Sequence, residues 1–393
     1  MYMYKLDDGV PIKIWSAKGS MDQGAIEQIE NTSKLPFAFH HICMMPDGHG
    51  GYGAPIGSVL AAKGVVVPNF VGVDIGCGMC AVKTNICDYS KEDLTGIMSG
   101  IRIVVPIGFS HHDKAHEEWM PKSILDNDYI SPNTVVFKEL GSACKQIGTL
   151  GGGNHFIEIQ KGDDGFIWIM IHSGSRNLGF KVANHYNKLA IEMNHKWKSS
   201  VPKNHELAFF PIDSLEGSMY LREMNYCLEF AQANREAMMT NVKEIVSARF
   251  FGVRYEEPIN IHHNYAAMEH HFGKNVMVHR KGATSAREGQ LGIIPGSQGT
   301  PSYIVRGKGE RESFMSCSHG AGRRMGRKQA QRELSLSDEI KTLEDQGIVH
   351  SIRTEKDLDE APSAYKNIDV VMEEQKDLVD IVVKLKPLAV IKG

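Results

Sequence analysis

Residues Val71–Cys80, VGVDIGCGMC, set an apolar, β-branched run directly against Gly76 and Gly78. Such a run reads as a buried strand stopped by glycine, so Val71–Ile75 is expected to be a strand. At its end stand a hard oxygen donor, Asp74, and a soft sulfur donor, Cys77. Two readings are open. Free Cys is often a small core hydrophobe, whereas a carboxylate and a thiol at a glycine-rich strand end suit a metal or catalytic site. The second reading needs more donors.

Four histidines elsewhere have the right surroundings. His155 lies in TLGGGNHFIE, His172 in IMIHSGSRNLG, His263 in INIHHNYA and His319 in SCSHGAGRRMGR. Each stands beside Gly, Ser or Asn, and three end or interrupt an apolar run. A lone His in such a place is usually structural. One Cys, one Asp and three His together would hold one or two transition metals and leave room for substrate. No H-E-x-x-H and no paired CxxC is present. Cys77 and Cys80 form a single CxxC. Cys80 either closes a disulfide with Cys77 on oxidation or points to the opposite face as a buried thiol.

Composition narrows the class. A net charge of −3 is not the signature of a chain that grips duplex nucleic acid non-specifically. Seven cysteines, an odd number at irregular spacings, argue for thiols in a reducing, cytoplasmic setting. No run of about 18 apolar residues predicts a membrane span.

Strands are expected at Pro11–Trp15, His40–Met45, Val59–Val67, Asn154–Ile159, Phe166–His172, Asn260–Ala266 and Val276–Lys281. Short strands are expected at Gly292–Pro295 and Tyr303–Arg306, and a loop at Pro46–Gly57. Helices are expected from Asp22, near Lys91–Ile101, over Pro132–Gln146, from Gly174 toward Lys196, over Met219–Ala248, from His319 and over Asn367–Val383. The long Met219–Ala248 pattern reads as a scaffold helix. With no repeat and no linker, residues 1–393 read as one large α+β domain.

GGGNH, GSQGTPSY and HGAGR offer backbone N–H groups to anionic oxygens. Arg176, Arg323, Arg324 and Arg327 add permanent cations suited to phosphate. Neither a G-x-x-x-x-G-K-[ST] loop nor the Lys-x-Asp-Gly of nucleotidyl-lysine ligases occurs. A neutral imidazole is a competent nucleophile toward phosphorus, and His319 is the candidate.

MPDGHGGYGAPIG, VGVDIGCGM, GTLGGGNHFIE, HSGSRNLG, HHNYA, RKGATSA, IIPGSQG and SCSHGAGR, in this order, closely resemble the RtcB family of RNA-splicing ligases, from about Met3 to Gly393. The resemblance implies a single α+β domain with mixed β-sheets around a deep, metal-containing cleft. It implies a GTP-dependent ligase that uses Mn²⁺, two ions by the ligand set. Its substrates would be RNA ends bearing a 2′,3′-cyclic phosphate or 3′-phosphate and RNA ends bearing a 5′-hydroxyl, in tRNA splicing or RNA repair. An activating protein partner is left open.

By the same resemblance, Asp74, Cys77, His155, His172 and His263 match metal ligands, with Cys77 bridging, and His319 matches the GMP-linked histidine. Asn154 and Phe156 match residues beside the nucleotide, Glu158 and Lys392 guanine contacts, Tyr365 the stacking aromatic, and Ser297 a nucleotide loop. Gly320, Ala321 and Gly322 lie in the nucleotide-binding HGAGR stretch. Asp47 matches an acid near the nucleophile, and Arg176, Arg323 and Arg327 match RNA or phosphate cations. Three departures stand out: the surroundings of His49, Gln298 where Met is common, and the extra thiol of Cys80. The same ligands would also serve a binuclear metal-dependent phosphoesterase.

Overall fold

The computed structural model describes residues 1–124 and 131–393. It is α+β, with two large sheets. The six-stranded sheet runs in the order Tyr2–Tyr4, Ile12–Ile14, Ala38–His49, Ile56–Ala62, Lys274–Lys281, Asn264–His271. Its Ile12–Ile14 and Ala38–His49 strands are parallel and the remaining pairs antiparallel. The seven-stranded sheet is antiparallel. Its order is Ile259–His262, Gly78–Lys83, Ile167–Ser173, Phe156–Gly162, Val379–Lys392, Ser302–Gly307, Leu291–Ile294.

Alternation along these strands divides the side chains between two faces. Cys80, Val82, Ile157, Ile159, Ile169 and Ile171 pack against Leu94, Ile97 and Ile101 of the Lys91–Val104 helix. Met238, Val242 and Val246 of the Leu215–Arg249 helix join the same cluster. That face is closed by helices. Met79, Phe156, Trp168 and Met170 lie in a separate cluster on the other face. Cys80 therefore packs among aliphatic side chains under the helices.

The two sheets share a core, in which Val59, Val276 and Val278 of one pack with Ile294, Tyr303 and Val305 of the other, and the chain passes directly from one sheet to the other at His263. Ile259–His262 is the edge strand of one and Asn264–His271 the edge strand of the other, with His263 between them. The expected single strand Asn260–Ala266 is thus two strands in two sheets. The His263 amide donates to the Cys77 carbonyl at 2.9 Å, and the Ala283 amide donates to the His263 carbonyl at 3.2 Å.

Four other expectations are corrected. Val71–Ile75 is not a strand: Pro68–Val71 is a helical turn with Pro68 at its first position, where the missing N–H costs nothing. The chain then turns through Gly72, at φ 93°, so Asp74 and Cys77 sit on a turn ahead of the Gly78–Lys83 strand. The Pro46–Gly57 loop is shorter than expected, because the preceding strand continues through Asp47 to His49. No helix opens at His319; residues 319–326 are irregular, and the helix begins only at Arg327 after a Gly326 cap. Asn367–Val383 is helical only over Ile368–Glu374. Val379–Lys392 is a fourteen-residue strand, as its β-branched alternation around Pro387 favours.

Candidate active site

At one end of the seven-stranded sheet, neighbouring strands begin or finish with a donor. Cys77 precedes Gly78–Lys83, His172 is the penultimate residue of Ile167–Ser173, His155 precedes Phe156–Gly162, and His263 follows Ile259–His262. The antiparallel register sets His172 opposite both Met79 and Phe156. Cys77 Sγ lies 3.3 Å from His172 Nε2 and 3.5 Å from His155 Nε2. His172 Nε2 lies 3.4 Å from His263 Nε2, and His155 Nε2 lies 3.1 Å from Asp74 Oδ2. The donors form two triplets, Cys77–His172–His263 and Asp74–Cys77–His155, with Cys77 common to both.

This donor set fits a pair of metal ions. His155 Nδ1–H donates to the Leu150 carbonyl at 3.0 Å and His172 Nδ1–H to the Asn154 carbonyl at 3.1 Å, so both rings turn bare Nε2 lone pairs inward. Burial, with neighbouring cationic groups, pushes the His172 and His263 imidazoles well below their usual range, which keeps them in the metal-binding neutral form. Converging lone pairs at this spacing repel one another unless a cation lies among them.

The His319 ring meets His263 edge-on, with centroids 4.8 Å apart. Its Nδ1 is 2.6 Å from Asp47 Oδ2, which also accepts from the His319 and Gly320 amides at 3.1 and 3.3 Å. Asp47 is fully buried. Burial drives its carboxyl upward, but the charge and hydrogen bond of His319, with His49 and Lys366 nearby, outweigh this and hold it below the ordinary carboxylate range. An ionised Asp47 keeps the proton on Nδ1 and leaves His319 Nε2 as the free nitrogen. The turn after His319 closes over this pair. Gly322 has φ 72°, and a Cβ there would lie 2.1 Å from the Asp47 carbonyl oxygen.

His319 opens into a cleft of about 500 Å³. Asn154, Phe156, Glu158 and His172 line it, with Ser297, Gly320, Ala321 and Gly322. Arg323, Arg327, Tyr365 and Lys392 also line it. Asp47 and Arg176 stand behind the lining. Arg176 donates to Thr149 Oγ1 at 3.0 Å and to the Gly108 carbonyl at 3.2 Å, and it sits at φ 57°, a strained backbone for a non-glycine residue. A Cβ on Gly151 would lie 1.8 Å from Arg176 Nη1 and 2.7 Å from His155 Nδ1, so the GGGNH loop needs glycine there.

A family model described as tRNA-splicing ligase RtcB matches residues 28–393. RNA-splicing ligase RtcB of Escherichia coli K12 is 40% identical over 98% of both chains. tRNA-splicing ligase RtcB of Thermococcus kodakarensis is 32% identical over 94% of this chain and 91% of its own. That of Nanoarchaeum equitans is 32% identical over 98% and 95%. The chain belongs to the RtcB family.

Several residues of this RtcB site escape a reading of motifs. Glu360 is a hub: Oε1 receives Arg327 Nε at 2.9 Å and Arg323 Nη1 at 3.1 Å, Oε2 receives the Tyr365 hydroxyl, and Lys392 Nζ lies 3.9 Å away. A lone Glu in a short 3₁₀ segment has no sequence signal. Gln298, the departure in the PGSQG loop, donates to the Glu360 carbonyl at 2.8 Å. Gln160 donates to Glu158 Oε2 at 2.5 Å. His49 lines the cleft, and its Nδ1–H donates to the Asp47 carbonyl at 2.9 Å.

The scaffold helix also reaches the RtcB centre. The buried Arg235 donates to the Gly76 carbonyl at 3.0 Å and the Ser173 carbonyl at 2.9 Å, and lies 3.1 Å from His262 Nδ1. Those three residues adjoin Cys77, His172 and His263 in the chain. Its neighbour Asn234 accepts from the Gly148 and Thr149 amides and donates to the Gly174 carbonyl, fixing the ends of the loops that carry His155 and His172.

Proposed function

We propose that this protein is a GTP-dependent RNA ligase that joins a 3′-phosphate or 2′,3′-cyclic phosphate end to a 5′-hydroxyl end, in tRNA splicing or RNA repair. One geometric observation carries the reading. His319 faces a nucleotide-sized cleft with Nδ1 held by Asp47, and it touches the donor cluster through His263.

In the guanylylation step, His319 Nε2 attacks the α-phosphorus of GTP; the α–β P–O bond breaks and pyrophosphate leaves. Asp47 stabilises the imidazolium character that develops. Metal ions held by Asp74, Cys77, His155, His172 and His263, Mn²⁺ by the family resemblance, would neutralise charge on phosphate oxygens. A 2′,3′-cyclic end is first opened by water, which breaks the P–O2′ bond and leaves a 2′-hydroxyl and a 3′-phosphate; the RNA 3′-phosphate then takes GMP from His319, and the 5′-hydroxyl attacks its phosphorus and displaces GMP to form the phosphodiester. Arg176, Arg323 and Arg327 hold RNA phosphates in line. Arg323 and Arg327 both pair with Glu360, so on binding RNA they exchange a carboxylate for phosphate.

Glu158 accepts from guanine N1–H and the N2 amine, Tyr365 stacks on the base, and Lys392, Phe156, Asn154 and Ser297 complete the pocket. A binuclear phosphoesterase has the same metal ligands but no use for these groups around one base. Residues 1–393 are read as one ligase domain, because strands distant in sequence lie side by side in both sheets.

The test is incubation with α-labelled GTP and Mn²⁺, followed by intact-protein mass measurement. The parent gains one GMP; His319→Ala gains none yet still binds Mn²⁺. GMP uptake surviving His319→Ala would remove the mechanism.

A further inference from the structure

Lys366 has appeared above only as a charge near Asp47. It is largely enclosed, and among the described residues it forms no ion pair. Its Nζ donates instead to two backbone carbonyls, Gly48 O at 2.5 Å and Pro46 O at 3.2 Å, with Met21 Sδ at 3.7 Å. These carbonyls belong to the residues on either side of Asp47. The carbonyl between them, that of Asp47, takes the His49 Nδ1–H at 2.9 Å. The Lys366 amide donates to the Gly322 carbonyl at 2.9 Å, so the residue is also fixed to the turn that follows His319.

Burying a lysine ammonium against carbonyls alone is costly, and solvent-exposed lysines are the rule. The arrangement accomplishes one thing: it clamps three successive peptide units whose central side chain is Asp47. From there Oδ2 holds His319. Burial lowers the Lys366 ammonium's affinity for its proton, while Asp47, Asp22 and Glu374 raise it.

We propose that Lys366 is a positioning residue that holds the Asp47 carboxylate in register with His319 Nδ1. The inference rests on His319 as the GMP acceptor for its kinetic arm only. A displacement of about 1 Å at the reacting group is enough to cost on the order of a hundredfold in rate.

The test uses the full chain with ¹⁵N-labelled histidine, first without nucleotide. The His319 Nδ1–H resonance is assigned by its loss in His319→Ala. In the parent it lies downfield, as a short hydrogen bond to a carboxylate requires. In Lys366→Met, which keeps the length and apolar stem, it moves upfield or disappears by exchange. In Lys366→Arg, which keeps two donors, it returns. In single turnover, Lys366→Met takes up GMP about tenfold to a hundredfold more slowly, while its Kd for GTP stays within about twofold. Lys366→Gln, a shorter and neutral amide donor, gives an intermediate rate and guards against misfolding of the Met variant. A parental resonance or a parental rate in Lys366→Met overturns the proposal. So does a loss that tracks a lowered melting temperature and that Lys366→Arg does not restore. If the parent itself takes up no GMP, the ligase reading fails while the resonance arm still decides the role of Lys366.

Discussion

Glu158 lies on the Phe156–Gly162 strand with almost no exposed surface, and its carboxyl is pushed up to about 8. Burial is the cause; Lys392 and the hydrogen bond from Gln160 pull the other way. A carboxyl that keeps its proton longer in the folded state makes folding less favourable as pH rises from its unfolded value, about 4.3, toward 8. Glu158→Gln is therefore expected to stabilise the ligand-free protein by about 1–3 kcal/mol at pH 8 to 9, and not at pH 4, by thermal denaturation at the two pH values. The same substitution removes the acceptor pair for guanine, so preference for GTP over ATP in labelling falls by about tenfold to a hundredfold. Equal selectivity in the variant would show that Glu158 does not read the base. Cys80 gives a second residue-scale expectation. Its side chain lies among aliphatic residues under two helices, so mild oxidation of the metal-free protein should yield no Cys77–Cys80 crosslinked peptide, and Cys80→Ala should lose GMP uptake at the parental rate; a recovered crosslink would reverse this. The donors at this scale were legible in the sequence because each stands within two residues of Gly, Ser or Asn at the edge of an apolar run or glycine-rich turn. Glu360, Gln160 and Lys366 were not, because their roles arise from contacts between segments far apart in the chain.

The Leu215–Arg249 helix looked like scaffold from its apolar spacing, and one face does pack the core. Asn234 and Arg235 show its other use. A helix interior is rigid, so polar groups on it can fix loops more tightly than the loops fix themselves. Arg235→Met is expected to leave the Gly76 and Ser173 carbonyls without their donor. Affinity for Mn²⁺, measured by titration without nucleotide, should fall about tenfold to a hundredfold, with a stability loss of roughly 2–4 kcal/mol. Unchanged Mn²⁺ affinity would confine Arg235 to packing. Element types were legible where periodicity was sustained, as in this helix and the Ile167–Ser173 strand. They failed where local chemistry overrode composition. Pro68 starts a helical turn inside an apolar run, and the glycines after His319 keep the chain irregular until Arg327. Both failures fall at the site, where the backbone must turn donors inward rather than complete an element.

At the scale of the molecule, the donors come from four segments, and one of them, His263, is the crossing point between the two sheets. A metal ion held there would tie the sheets to each other. Removing it with a chelator should lower the melting temperature, and Mn²⁺ at about a hundred times its Kd should restore about 2.7 kcal/mol, by calorimetry. An unchanged melting temperature would mean that the sheets hold together without the ions. The α+β class followed from the sequence, but the sheet order did not, because it depends on pairing between strands such as Gly78–Lys83 and Ile259–His262. The Val379–Lys392 strand sits inside the seven-stranded sheet, between Phe156–Gly162 and Ser302–Gly307, which both precede it in the chain. During synthesis on the ribosome those two strands emerge with no partner between them. The nascent chain must hold two open, apolar strand edges until its last-made strand arrives, a long interval in which chaperones, or a neighbouring nascent copy, can claim them.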